Sequence, residues 1–126
     1  MVSEETGEMK SYKELLVWQK ATALVTKAYR ITEKFPREET YGLSNQMRRA
    51  AVSIPSNIAE GFGRQSTKDY IHFLDMARGS LFELNTQFVI ANNLEFITSE
   101  ELQEIEDRCE EIGKMINSLK SSLSRA

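Results

Sequence analysis

Between Leu102 and Leu123 the chain places an apolar residue at every third or fourth position without a break: Leu102, Ile105, Cys109, Ile112, Ile116, Leu119 and Leu123. Steps that alternate three and four line these side chains along one narrow seam of a helix, and such a seam is stable only when other helices cover it. A strand is excluded, because its apolar period is two. Thr98 followed by Glu101 reads as a capping box, so the helix is expected over about 99–123. Its acidic residues (Glu100, Glu101, Glu104, Glu106, Asp107, Glu110, Glu111) crowd the first half, and Lys114, Lys120 and Arg125 follow. That order complements the helix dipole at both ends.

The rest of the chain supplies three further helices of the same kind. The first is expected over about 12–35, with Val17, Trp18, Ala21, Leu24, Val25, Ala28, Ile31 and Phe35 on one face and Lys20, Lys27, Arg30 and Lys34 on the other. Pro36 stops it, since the residue before a proline is pushed out of the α region. The second runs from about Ser44, read as an N-cap, to Phe62, with Met47, Ala50, Ala51, Ile54, Ile58 and Phe62 toward the core. Pro55 inside it removes a backbone donor and crowds the Ala51 carbonyl, which predicts a kink; the alternative is two short helices. The third opens at Ser66, with Asp69 three residues on, and runs to about Asn93. Tyr70, Leu74, Ala77, Leu81, Leu84 and Phe88 form its main stripe. Ile71, Phe82 and Val89 form a second stripe, while Phe73 and Met76 widen the apolar surface. A helix apolar on several flanks needs more than one neighbour, and in a four-helix domain the extra neighbour is expected to be another subunit. Gly79 in mid-helix costs about 1 kcal/mol against alanine and is read as a place of close backbone approach. Short connections predict an all-α, antiparallel up-down-up-down four-helix bundle over residues 12–124, preceded by a mobile polar tail at 1–11.

At 126 residues the chain is one domain, large enough to bury roughly two-thirds of its unfolded surface. One cysteine rules out an intramolecular disulfide framework and favours a reducing, cytoplasmic setting. The N-terminus lacks the apolar core of a secretory signal, and no apolar run approaches the roughly 20 residues that span a bilayer. The net charge is −3. It is unevenly placed: residues 1–80 carry twelve Lys and Arg against ten Asp and Glu, residues 81–126 four against nine. An acidic total argues against a general polyanion binder, so any nucleic-acid face must be local.

Chemistry that would mark an enzyme is missing from the pattern. His72 is the single histidine and Cys109 the single cysteine, so a His/Cys metal cluster is excluded and one Cys–His pair remains. Cys109 falls on the core seam, where a structural cysteine is expected, and His72 falls on a polar flank. Neither inward-facing glutamates nor a Glu-x-x-His motif is present for a carboxylate metal site. Gly61-Phe62-Gly63 is no phosphate-binding loop, lacking both the Gly-Lys-Ser/Thr and a preceding strand; the glycines are expected to end the second helix and turn the chain. No catalytic residue, metal or cofactor is expected.

The cations are the remaining candidates for function. Arg48, Arg49, Arg64, Lys68 and Arg78 lie on the second and third helices, and Lys20, Lys27, Arg30 and Lys34 on the first. They are candidates for nucleic-acid contact, set against a solvated face with intersubunit ion pairs. Arg64, Ser66 and Lys68 also gather at a helix start that can take a phosphate. Arg49, Ser53, Ser56 and Glu60 are spaced four, three and four, a polar stripe suited to a subunit seam, with Arg49 or Glu60 expected in an ion pair across it. Ile71, Phe73, Met76, Phe82 and Val89 complete the subunit-interface candidates.

Residues 48–61, Arg-Arg-Ala-Ala-Val-Ser-Ile-Pro-Ser-Asn-Ile-Ala-Glu-Gly, resemble the signature of the four-helix bundle proteins encoded in intervening sequences of bacterial 23S rRNA genes. Leu16-Val17-Trp18-Gln19-Lys20-Ala21, Tyr41-Gly42-Leu43 and Asp69-Tyr70-Ile71-His72-Phe73-Leu74 match the same pattern. The resemblance implies a ring-like homopentamer. It also implies a relation to the accessory variability protein of diversity-generating retroelements, which partners a reverse transcriptase and binds nucleic acid through a basic surface. The expected role is therefore a non-enzymatic homo-oligomeric binding module that contacts RNA or an RNA–protein complex, with a reverse-transcriptase-type protein as the other partner class. The alternative is a protein-binding scaffold with no nucleic-acid role.

Overall fold

The computed structural model describes residues 9–125. Four helices account for most of them: α1 (Leu16–Thr32), α2 (Leu43–Phe62), α3 (Thr67–Asn93) and α4 (Ser99–Arg125), with short 3-10 turns at Tyr12–Glu14 and Arg37–Glu39. Among the described residues there is no strand. The helices form a four-helix bundle in which α2 touches α1 and α3, and α4 touches α3 and α1. Most of the expected tail lies outside the described residues, but Met9 packs against the core and Ser11 caps the first turn by accepting from the Lys13 N–H at 3.1 Å.

The apolar periodicities become the core. Val17, Ala21, Leu24, Ala28 and Ile31 of α1 meet Met47, Ala51, Ile54 and Ile58 of α2. Leu74, Ala77, Leu81, Leu84 and Phe88 of α3 and Ile105, Cys109, Ile112, Ile116 and Leu119 of α4 close the interior. Each fully buried Leu or Ile contributes about 1.5–3 kcal/mol relative to exposure.

The helix ends depart from expectation in three places. The first helix does not start at Tyr12: Leu15 is extended (ψ 124°), which tucks its buried side chain inward before α1 begins. Its end is also earlier, at Thr32, with Phe35 and Phe96 in ring contact at 5.2 Å beyond it. Ser44 is not an N-cap. Gly42 takes that position, Glu39 Oε1 accepts from the Leu43 N–H at 3.2 Å, and Ser44 is buried as the second residue of the helix. A carboxylate from the preceding turn thus satisfies the free amide that a serine was expected to serve.

Both helix starts are capped as expected, Thr98 with Glu101 in both directions and Ser66 with Asp69 in one. Ser66 Oγ accepts from the Asp69 N–H at 3.1 Å. Thr98 Oγ1 accepts from the Glu101 N–H at 3.0 Å, while Glu101 Oε1 accepts from the Thr98 N–H at 2.9 Å. Helix α2 runs unbroken through Pro55, which excludes two short helices; Ile54, Pro55 and Ile58 are all buried, and their packing holds the turn together.

Candidate nucleic-acid and subunit interfaces

The candidate cations divide according to what they touch. Lys20 and Lys27 do not point away from the bundle as the periodicity suggested. They reach across to α4, Lys20 to Glu111 at 3.2 Å and Lys27 to Glu104 at 2.9 Å. Arg108 joins Glu104 from the other side at 3.3 Å. A hydrogen bond from Lys27, reinforced by its charge and by Arg108, lowers the Glu104 carboxyl below its usual value. Long α1 side chains thereby bridge to the acidic half of α4 and pair with two of its seven acidic residues, Glu104 and Glu111.

Arg48 and Arg64 are likewise engaged. Arg48 Nε donates to Thr32 Oγ1 at 2.9 Å, and its guanidinium lies over the Tyr29 ring at 4.8 Å, tying α2 to the end of α1. Arg64 pairs with Glu60 at 3.4 Å and covers the Phe73 ring at 4.5 Å. Arg78 stacks on Phe82 at 4.7 Å. Glu60 therefore has its ion pair inside one chain.

Arg49 and Lys68 are exposed and, among the described residues, make no ion pair. Arg49 opens onto a polar groove of about 520 Å³ with Tyr41, Ser53, Ser80 and Glu83. Arg30 and Lys34 are also exposed, and they converge with Lys27, Arg108 and Glu101 around an α1–α4 groove of about 540 Å³. Four cations and one carboxylate thus line a single groove.

The expected polar stripe on α2 is split. Ser53 is half-buried against α3, its hydroxyl accepting from Ser80 at 2.9 Å and from Asn57 at 2.9 Å. Ser56 opens instead onto a groove between α1 and α2. Phe73 is held within the chain under Arg64, Ile71 and Val89 are half-buried, and Met76 and Phe82 remain substantially exposed at 44% and 53%. Sequence reasoning missed Val52, Ile90 and Leu94, apolar residues exposed at 41%, 42% and 52%. Val52 carried a readable signal, since it is a large apolar residue outside the core period of α2.

Glycine roles also differ from expectation. Gly79 is not a contact point within the chain: a Cβ there would meet nothing within 4 Å. The close approach is at Gly61, where a Cβ would lie 2.9 Å from Tyr70 Cδ1, 3.0 Å from Phe73 Cβ and 3.1 Å from the Tyr70 carbonyl oxygen. It lets the end of α2 lie against the start of α3.

No Cys–His pair forms. Cys109 shares a groove with Asn85, thirteen residues along α3 from His72, which is roughly 20 Å at 1.5 Å per residue. Burial pushes the Cys109 thiol up to about 12, the reverse of what a nucleophile needs. Among the described residues no group of three His, Cys, Asp or Glu could hold a metal ion, and no helix is long and apolar enough to cross a membrane.

A four-helix protein with an apolar interior and charged grooves is the class this geometry defines. The sequence matches the 23S rRNA-intervening sequence protein family over residues 13–118, and the chain belongs to that family. Among solved structures it is similar to a protein of unknown function from the S23 ribosomal protein family of Bacteroides thetaiotaomicron. The TM-score is 0.77 at 24% identity, over 84% of this chain and 96% of that one, a likeness of fold. None of the curated proteins matches the sequence.

Proposed function

We propose that the protein is a non-enzymatic binding module that works as a homo-oligomer and contacts RNA, or an RNA–protein complex, through a local basic surface. In this reading the helices alternate up and down, α2 bends at Pro55 where the Ala51 carbonyl loses its donor, and five copies form a ring. The pairing of Lys20 with Glu111 and of Lys27 with Glu104 supports the alternation, because rising numbers on α1 meet falling numbers on α4.

The observation that carries the RNA reading is the α1–α4 groove, where Lys27, Arg30, Lys34 and Arg108 gather around Glu101. Its cations outnumber the carboxylates that line it, and Arg30 and Lys34 reach solvent. Phosphate contacts release counterions, so affinity for a single-stranded RNA falls with salt at a log–log slope of roughly −0.7 per contact. Filter binding between low and physiological salt is expected to show this slope. The Arg30→Ala/Lys34→Ala variant should flatten it by roughly 1.4. An unchanged slope, or no binding by the parent chain, rejects the RNA reading.

The second reading is a scaffold that recruits a protein, of reverse-transcriptase type or otherwise. It is favoured by the exposed Met76, Ile90 and Leu94, which lie outside the ion-paired surface. A partner that co-purifies after nuclease treatment supports it.

A further inference from the structure

Between α3 and α4 lies a groove of about 390 Å³, a volume in the range of small-molecule clefts. Leu81 and Cys109, both buried, supply its apolar lining, and Gly113 leaves the α4 wall bare of a side chain. Phe82 stands at the groove 53% exposed, with the Arg78 guanidinium over its ring at 4.7 Å. Aromatic rings and guanidinium planes are the surfaces on which flat heteroaromatic groups stack.

The charges that line this groove cancel, Arg78 and Lys114 against Glu106 and Glu110, and Lys114 pairs with Glu110 at 3.5 Å. It therefore differs from the cationic α1–α4 groove and suits an uncharged group that brings its own hydrogen-bonding edge. Asn85 supplies the partner for such an edge. Its Oδ1 is shut off from solvent and accepts from no donor, and its carboxamide makes no hydrogen bond among the described residues. A buried acceptor left without a donor is costly. Asn85 is half-buried on the groove wall, where rotation about its side-chain bonds turns the amide toward an occupant.

We propose that the neutral α3–α4 groove takes one unpaired nucleobase of the RNA, stacked on the Phe82–Arg78 pair and hydrogen-bonded edge-on to the Asn85 carboxamide. The inference rests on the RNA reading and deepens it: the α1–α4 groove meets phosphates, and this groove meets a base. Every nucleobase sets an N–H donor beside an acceptor on its pairing edge, and an amide carries one of each, so two hydrogen bonds can close. In a duplex that edge is already occupied, so the site selects single-stranded RNA.

The test titrates the full chain with the four nucleoside 5′-monophosphates, and with ribose 5-phosphate as the control that lacks a base. Nitrogen–proton spectra report on the backbone amides of the groove and on the Asn85 side chain of the parent. All four nucleotides should shift these signals saturably, and ribose 5-phosphate should not. Phe82→Ser should weaken binding at least about fivefold, the loss of one stacked base, with far-UV circular dichroism unchanged. Asn85→Asp offers two acceptors, and guanine alone sets two donors side by side. That variant should therefore move the preference toward guanosine monophosphate by roughly fivefold or more, a swap that a merely structural asparagine would not produce. Absent shifts in the parent, or equal shifts with ribose 5-phosphate, overturn the base site and leave the salt dependence of RNA binding untouched. Unchanged affinity in Phe82→Ser, or unchanged preference in Asn85→Asp, overturns it too. Should either variant lose its helicity, Gly113→Met fills the groove instead. The first side-chain carbon there would lie 3.6 Å from Leu81, an ordinary contact, so the helix should persist. Lost nucleotide binding then supports the site, and retained binding overturns it.

Discussion

The α2–α3 seam and the α1–α4 seam join helices of one bundle by opposite means. Along α2–α3 the contacts are small and neutral: Gly61 leaves no room for a Cβ beside Tyr70 and Phe73, and Ser53 and Ser80 bond directly at 2.9 Å. Along α1–α4 long side chains meet at their tips, Lys20 with Glu111 and Lys27 with Glu104, beside an open groove of about 540 Å³. Small residues let backbones approach and make shape the source of stability. Long charged residues bridge a gap with ion pairs that solvent screens, each worth little when exposed. The close seam is therefore the structural half of the molecule, and the wide seam keeps cations near solvent where a ligand can reach them.

The contrast breaks most readily at Gly61. Gly61→Ala places a methyl against the Tyr70 carbonyl, which is backbone and cannot swing away, and is expected to cost about 1–3 kcal/mol by overpacking. Urea denaturation measures it. A neutral result would mean that α2 and α3 are not held as closely as their atoms indicate.

A smaller effect is expected at Ser53→Ala, which deprives Ser80 and Asn57 of an acceptor in a part-buried seam. The expected loss is about 1 kcal/mol, without the salt dependence of an ion pair. Ser80→Ala should come out close to it, and the double variant should cost less than the two combined, because one hydrogen bond is shared.

The smallest effect is expected on the wide seam. Lys27→Met should scarcely move the denaturation midpoint, and whatever change appears should vanish at high salt. It should also alter the pH dependence. Glu104 titrates lower in the folded chain than its ordinary 4.5, so its contribution is present above that value and is lost as the pH falls through the folded one. Comparing acid and neutral midpoints for the parent and Lys27→Met should show a shallower acid loss in the variant. An identical acid profile would show that Lys27 does not hold Glu104.

Much of the fold was legible because core positions obey helical geometry. The α4 seam from Leu102 to Leu123 and the α3 stripe from Leu74 to Phe88 lie inside as their spacing predicts. The Thr98 capping box and the Ser66 N-cap were readable because their partners are three residues apart. Ser44 was misread since its competitor, Glu39, belongs to the preceding turn and caps from there. Lys27 was misread for a related reason: periodicity tells which side of a helix a lysine leaves from, not which neighbour its flexible stem reaches. The candidate interfaces were legible as residue types only. Phe73 and Phe82 look alike in sequence, yet one is sheltered beneath Arg64 and the other stands half exposed.

The sequence by itself determined the four helices, their apolar faces and the family, because these depend on spacing along a regular backbone and on one long motif. Only the tertiary structure decided which arginines are engaged, that Gly61 and not Gly79 is the point of close approach within the chain, and that Phe82 stands exposed while Phe73 is sheltered. Each of those depends on which surfaces meet between helices far apart in sequence, and burial, ion pairing and steric room are properties of the meeting.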